Sequence, residues 1–349
     1  MYYQNYANDG QGAKVGVLMT NLGTPDAPTR EALKPYLKEF LSDTRVVEPP
    51  PSRLVWQLIL NGIILNRRPQ QSAEAYQTVW NTEGPGAPLL NISRRQLSGI
   101  VQKVADQFEG ELVFELGMRY GNPSIASGLR SLQKQGCGKI LILPLYPQYA
   151  GATTASTFDA VFDELKTWRW LPELRTISHY YHHPGYIEAL AQSIRDFQAK
   201  YGSAELLVFS YHGIPVRYWE NGDPYPEQCF RTTHLVAEAL GLKEEQVRTT
   251  FQSRFGKEPW VQPYTDETMK ALPKEGVKRV QVICPGFSAD CLETIEEIGE
   301  ENRAYFLKAG GESFGYIPCL NDREDHLSAS ADSVCQHLQG WENAVSNPC

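Results

Sequence analysis

The chain is poor in several features that would assign it to a common class. Seven cysteines, at positions 137, 229, 284, 291, 319, 335 and 349, are spread over 349 residues with no C-x-x-C pair. That spacing argues against a zinc site or a local iron–sulfur motif, and an odd, dispersed set predicts free thiols in a reducing compartment. No run reaches the roughly 18 apolar residues of a membrane-spanning helix. Positive charge is in deficit: the net charge is −8, which argues against a nucleic-acid partner. Residues 1–14 have neither the apolar centre of a signal peptide nor the arginine-rich pattern of a transit peptide, so no leader is expected.

What remains is an ordinary globular composition, 42% hydrophobic and 21% charged, on a chain long enough for two α/β domains. Leu206-Leu207-Val208-Phe209-Ser210-Tyr211 reads as a buried strand. It ends at His212, where Gly213 and Pro215 break the chain. In an α/β protein a strand's C-terminal tip is where ligands bind, and a neutral imidazole there takes a proton or holds a metal. The alternative is a histidine that only satisfies a loop carbonyl. A second strand, 280–283, runs through Cys284-Pro285-Gly286-Phe287 into a predicted helix. Glu293, Glu297 and Glu301 recur there every fourth residue, with Glu296 and Glu300 beside them, and Leu292, Ile295 and Ile298 are expected opposite. A solvated acidic face is one reading. Like charges at this spacing destabilise a helix, so a cation is the other.

Taken in order, 15–19 is a strand ending in the Thr20–Pro25 glycine turn, which lacks the G-x-G-x-x-G spacing of a nucleotide site. Residues 28–41 read as a helix, and Glu48-Pro49-Pro50-Pro51-Ser52 as a stiff linker. Residues 53–66 are apolar almost all round and close on Arg67-Arg68. They form either a buried core helix or an exposed lip, and the proline lead-in and arginine pair favour the lip. Helices are predicted over 72–80, 90–108, 157–168, 184–201, 225–240 and 324–341, and strands over 112–116, 140–143 and 247–252. The strand at 112–116 delivers Arg119 and Tyr120 to a turn, either a plain surface turn or part of a pocket. Residues 140–143 parallel 280–283, and the strand ending at Arg119 parallels the one ending at His212. The fold expected is α/β: two doubly wound, Rossmann-like domains with parallel sheets and a crevice between them lined by strand tips.

Ser210-Tyr211-His212-Gly213-Ile214-Pro215 followed by Gly222-Asp223-Pro224-Tyr225 resembles the signature of the ferrochelatases. Asn21–Pro25, Gly117–Pro123, Pro144–Tyr149, Phe251–Gly256, Trp260–Asp266 and the acidic ladder agree with it, in family order, from about Val15 to Asn321. The resemblance implies a chelatase-like fold that inserts ferrous iron into protoporphyrin IX, the last step of haem synthesis. It implies His212 and Glu293 as catalytic and metal-contacting groups, with Glu297, Glu300 and Glu301 as an outer relay. Leu22, Arg68, Arg119, Tyr120, Tyr225 and Trp260 are the implied porphyrin contacts. Two departures stand out: the family's loop serine is Ala87 here, and Cys291 stands where many members have histidine. Fe2+ is then a substrate, with no permanently bound cofactor and no iron–sulfur cluster. The implied domains are 14–160 joined by 323–349, with the lip at about 48–70, and 161–322. The implied setting is cytoplasmic, peripheral on the inner face of the membrane through the lip, and in reach of other haem-pathway enzymes. The alternatives are a chelatase for cobalt or coproporphyrin, and a non-catalytic tetrapyrrole- or solute-binding protein.

Overall fold

The computed structural model describes residues 14–48, 52–108 and 110–341. The N-terminal segment, most of the proline linker, and 342–349 of the expected first domain lie outside them. The first half runs β1 (Lys14–Thr24), α1 (Arg30–Ser42), α2 (Arg53–Ile59), a π-turn (Leu60–Ile64), α3 (Leu65–Val79), α4 (Pro88–Ala105), β2 (Leu112–Gly121), α5 (Ile125–Lys134), β3 (Cys137–Pro144), α6 (Ser156–Leu165) and β4 (Glu173–Thr176). Next come α7 (Pro184–Tyr201), β5 (Leu206–His212), α8 (Val216–Glu220), α9 (Tyr225–Leu240), β6 (Val247–Gln252), α10 (Thr265–Ala271) and β7 (Arg279–Ile283). The chain closes with α11 (Leu292–Ile295), a further π-turn (Glu297–Asn302), α12 (Arg303–Lys308), β8 (Ser313–Ile317) and α13 (Glu324–Leu338).

The strands form two four-stranded parallel sheets of the same order, β2-β1-β3-β4 and β6-β5-β7-β8. Central strands are apolar on both faces, as helices on either side require: Val15, Val17, Leu18 and Met19 in β1, and Leu206 to Phe209 in β5, are all buried. This is the duplicated doubly wound unit, with two adjustments. The matching sheet positions pair β3 with β7, as expected, but pair the strand of His212 with β1; the Arg119 strand corresponds to β6. Repeat order is a property of sheet position, which an apolar run does not reveal. Second, β4 pairs with β3, so the first sheet extends to Thr176 and the break between units does not fall at 160. Four residues of mixed polarity carried no strand period to place them.

The two units share a core. Residues of β1, β3, β5 and β7 join those of α7 and α13 in one contiguous apolar cluster, and α13 packs on both α4 and α7. Polar bonds tie the facing strand tips: the Gly151 N–H donates to Asp223 Oδ2 at 2.7 Å, the Tyr149 N–H to Gln228 Oε1 at 2.8 Å, and Gln148 Nε2 to Thr232 Oγ1 at 2.9 Å. Asp223 also accepts from the Tyr225 N–H at the start of α9, so the Gly-Asp-Pro-Tyr turn both opens that helix and joins the halves.

Candidate active site

A cavity of about 430 Å³ opens where the C-terminal tips of the two sheets face each other. That is the position parallel sheets reserve for ligands, and the volume suits a flat aromatic molecule held on both faces. Of the residues singled out in the sequence, Leu22, Arg68, His212, Tyr225, Trp260, Glu293 and Glu297 line it.

His212 ends β5, in register with Gln252 of β6. Its Nδ1 lies 2.7 Å from the Gly213 carbonyl oxygen. A carbonyl only accepts, so Nδ1 carries the proton and Nε2 is the ring's free basic atom. The bland reading of this histidine is thus half true: the loop carbonyl is satisfied, and satisfying it fixes the tautomer a base needs. Gly213 has a steric reason. A Cβ there would stand 3.0 Å from both the Gln252 carbonyl oxygen and the Trp260 ring, so only glycine lets the indole close over the histidine loop. The His212 and Trp260 ring centroids are 6.5 Å apart, and Phe255 packs edge-on to Trp260 at 4.9 Å. The Trp260 Nε1–H is buried and has no partner among the described residues.

The acidic ladder is not one regular helix. The N–H groups of Glu300 and Glu301 both bond to the Glu296 carbonyl at 3.0 Å, and 297–302 forms a π-turn. The wider turn breaks the every-fourth-residue alignment. Glu293 and Glu297 face the cavity, while Glu300 and Glu301 are exposed and do not line it. The expected opposite face also shifts: Leu292 lines the cavity, and Ile298 is fully buried behind it. Two forces suit this. Repulsion opposes stacking carboxylates at i, i+4, and Ser253 pulls Glu297 inward. Ser253, at φ 65°, donates its N–H to Glu297 Oε1 at 2.8 Å and its hydroxyl to Oε2 at 2.5 Å.

Burial raises the Glu297 carboxyl above its ordinary pKa. The Ser253 bonds and the charge of His212 pull it partly back, and Glu293 adds to the rise. Glu297 therefore responds to the charges of both His212 and Glu293. Because the folded pKa exceeds the unfolded one, the folded state holds the extra proton between the two values, and stability falls as pH rises through that window. Glu297→Gln cannot ionise. Urea midpoints at several pH values should show a flatter slope and a variant at least as stable as the parent at neutral pH; a steeper slope would contradict the assignment.

Arg119 and Tyr120 do not reach the cavity. Arg119 donates to Ser156 Oγ at 2.6 Å and to Asp43 Oδ2 at 2.5 Å, and the Tyr120 hydroxyl donates to the same Asp43 oxygen at 2.7 Å. Asp43 follows α1 and draws both side chains behind the wall, where Tyr120 supports the cavity-lining Phe40 edge-on at 5.0 Å. An arginine at a strand tip looks free in sequence because its distant carboxylate partner is invisible there. Conversely, Ser253, Phe255, Tyr76, Phe287 and Tyr146 line the cavity without having been assigned a role. Ser253 and Phe255 sit in the Phe251–Gly256 stretch at a strand tip, and that position was the available signal.

At the mouth, α2, the π-turn and α3 form one continuous rod. Leu54, Leu58 and Ile63 are 77%, 74% and 55% exposed, while Leu60 and Leu65 are buried. Trp56 is half-buried, its Nε1–H donating to the Leu41 carbonyl at 2.8 Å. Arg68 stands at the rim, 5.9 Å from the Phe255 ring centroid, and makes no ion pair among the described residues. Among the described residues no helix is long and apolar enough to cross a membrane, and no three His, Cys, Asp or Glu side chains meet to hold a metal.

Two parallel four-stranded units with facing strand tips define a chelatase fold. The chain superposes on SirB from Bacillus subtilis with Fe3+ at a TM-score of 0.55 and 13% identity, covering 93% of this chain and 95% of that one. It superposes on the sirohydrochlorin chelatase SirB from B. subtilis subspecies spizizenii in complex with cobalt at 0.53 and 10%, with the same coverage. Residues 14–338 match the family model for ferrochelatase. The ferrochelatase of Hydrogenovibrio crunogenus is 64% identical over 98% of this chain and 91% of its own length, and that of Alcanivorax borkumensis 57% over 94% and 95%. The chain belongs to the ferrochelatase family. It is a metal chelatase, a lyase that inserts iron into protoporphyrin in haem synthesis.

Proposed function

We propose that the cavity takes protoporphyrin IX between the Leu22 turn and the His212 wall, that the iron enters as Fe2+, and that His212 and Glu293 carry the insertion. The observation that carries this reading is the fixed His212 tautomer in an apolar cavity that also holds Glu293 and Glu297. Insertion releases two pyrrole protons, and Nε2 of His212 is the base placed to accept one. Glu293, on the same wall, shares the proton or gives the metal a weak oxygen ligand. A pair of groups rather than a closed set suits a metal that must leave the protein for the ring. Trp260, Tyr225 and Phe255 hold the macrocycle by its aromatic face. Arg68 is the partner for a propionate at the rim. Anaerobic mixing of the purified protein with Fe2+ and protoporphyrin should give the haem absorbance spectrum. Parallel mixtures with coproporphyrin or Co2+ separate this reading from its neighbours, and no spectral change with any pair would end it.

We also propose that the lip touches the membrane surface on the cytoplasmic side. The support is its exposed row of Leu54, Leu58 and Ile63, beside basic Arg53 and Arg67. Serine at those three leucine and isoleucine positions should leave the melting temperature unchanged and reduce pelleting with anionic vesicles. Were the row core instead, each change would cost about 1.5–3 kcal/mol and the melting temperature would collapse.

A further inference from the structure

The inner face of α4 carries two fully buried polar side chains one turn apart, Ser93 and Gln96. Neither belongs to the cavity lining, and each holds a different wall of it. Ser93 Oγ accepts from Asn21 Nδ2 at 3.1 Å, while Asn21 Oδ1 accepts from the Leu22 N–H at 2.8 Å, which fixes the turn bearing Leu22. Gln96 Nε2 reaches into the other unit and donates to two carbonyls, Ser288 at 2.8 Å and Asn321 at 3.0 Å.

Those carbonyls belong to the support of the acidic helix. Asn321, at φ 48°, donates its N–H to the Ser288 carbonyl and its Nδ2 to Asp290 Oδ2 at 2.7 Å, and its Oδ1 accepts from the Asp290 N–H at 2.8 Å. Asp290 Oδ1 in turn accepts from the Thr294 hydroxyl at 3.0 Å, inside α11 and next to Glu293. From the far side, the Nδ1–H of buried His326 in α13 donates to the Asn321 carbonyl oxygen, the one Gln96 also binds, at 2.8 Å. Every link is directional, and those from Asn21 to Ser93, from Gln96 to Ser288 and from Thr294 to Asp290 are buried. A buried amide that binds two carbonyls across a unit boundary fixes a spacing as well as satisfying groups. The apolar surface around it does not, because apolar burial has no direction.

We propose that Gln96 is a positioning residue for metal insertion. Through Ser288 and Asn321 it sets the acidic helix, and so Glu293, at a fixed separation from the Leu22 turn held by Ser93 on the same helix. His326 is the second anchor of the node. This rests on the role given to Glu293 above.

The test is steady-state insertion with Fe2+ and protoporphyrin varied separately, in Gln96→Met, His326→Phe, the double variant and Glu293→Gln. Methionine keeps the volume but removes the donor. Both carbonyls keep one other bond, so the melting temperature should fall by only about 2 °C. The expected result is an apparent KM for Fe2+ raised on the order of tenfold in Gln96→Met, with the KM for porphyrin within about twofold, since no porphyrin contact is lost. Gln96→His, which restores a ring donor, should recover part of the effect. The double variant should be more than additive, because only there does the Asn321 carbonyl lose both donors. Equal rises in both KM values, or none, would overturn the inference while Glu293→Gln remains impaired. If Glu293→Gln is itself unimpaired, the reading of Glu293 fails first and the inference with it.

Discussion

His212→Ala should lower the insertion rate by about 10²–10⁴-fold, the range for a lost general base. The variant should fold normally, because among the described residues the ring's one hydrogen bond goes to the next residue's carbonyl, at the partly exposed tip of a strand. Porphyrin binding should survive within a few-fold, since Trp260, Phe255 and Tyr225 keep their places. Added imidazole should restore part of the rate, because it can occupy the space vacated and accept a proton at Nε2. Turnover near the parent's, with the protein folded, would remove His212 from the chemistry and leave the carboxylates to act alone. A loss of porphyrin binding as large as the loss of rate would make it a substrate contact instead.

Glu293→Gln should cost at least about a hundredfold in rate, since it removes the cavity carboxylate proposed to share the metal or the proton with His212. Glu301→Gln, exposed beyond the π-turn, should stay within about twofold, as a surface substitution does. The contrast matters more than either number. A regular helix would put residues 293, 297 and 301 on one face and grade the effect along it. The wide turn at 297–302 predicts a step instead: large at 293, marked at 297 through its hold on Ser253, and slight at 300 and 301. Equal small effects along the whole row would mean a solvated acidic face.

Much of the site is local in sequence and was legible there. A buried strand that stops at His212, with Gly213 and Pro215 immediately after it, announces a strand tip in an α/β sheet. The identity of the tip residue then fixes its chemistry. The same logic marked the glycine turn of Leu22 and the start of the acidic helix as strand-tip sites, while Trp260 was singled out by the resemblance alone; all three line the cavity, and the paired order of strands and turns pointed to the doubled parallel sheet. Arg68 was legible as the polar end of an apolar rod.

The tertiary structure decided what depends on partners far away in the chain. Asp43 captures Arg119 and Tyr120 from 76 and 77 positions off, turning two apparent ligand contacts into wall supports. Ser253 reaches 44 positions to hold Glu297, and the π-turn sends Glu300 and Glu301 to solvent. Gln96 reads in sequence as one more polar residue on an amphipathic helix, and only packing brings it to carbonyls 192 and 225 positions away. Periodicity reports which face of an element is buried, because that is a property of neighbours along the chain. It cannot report which buried polar atom meets which, because hydrogen bonds are short and directional and depend on how the elements finally dock.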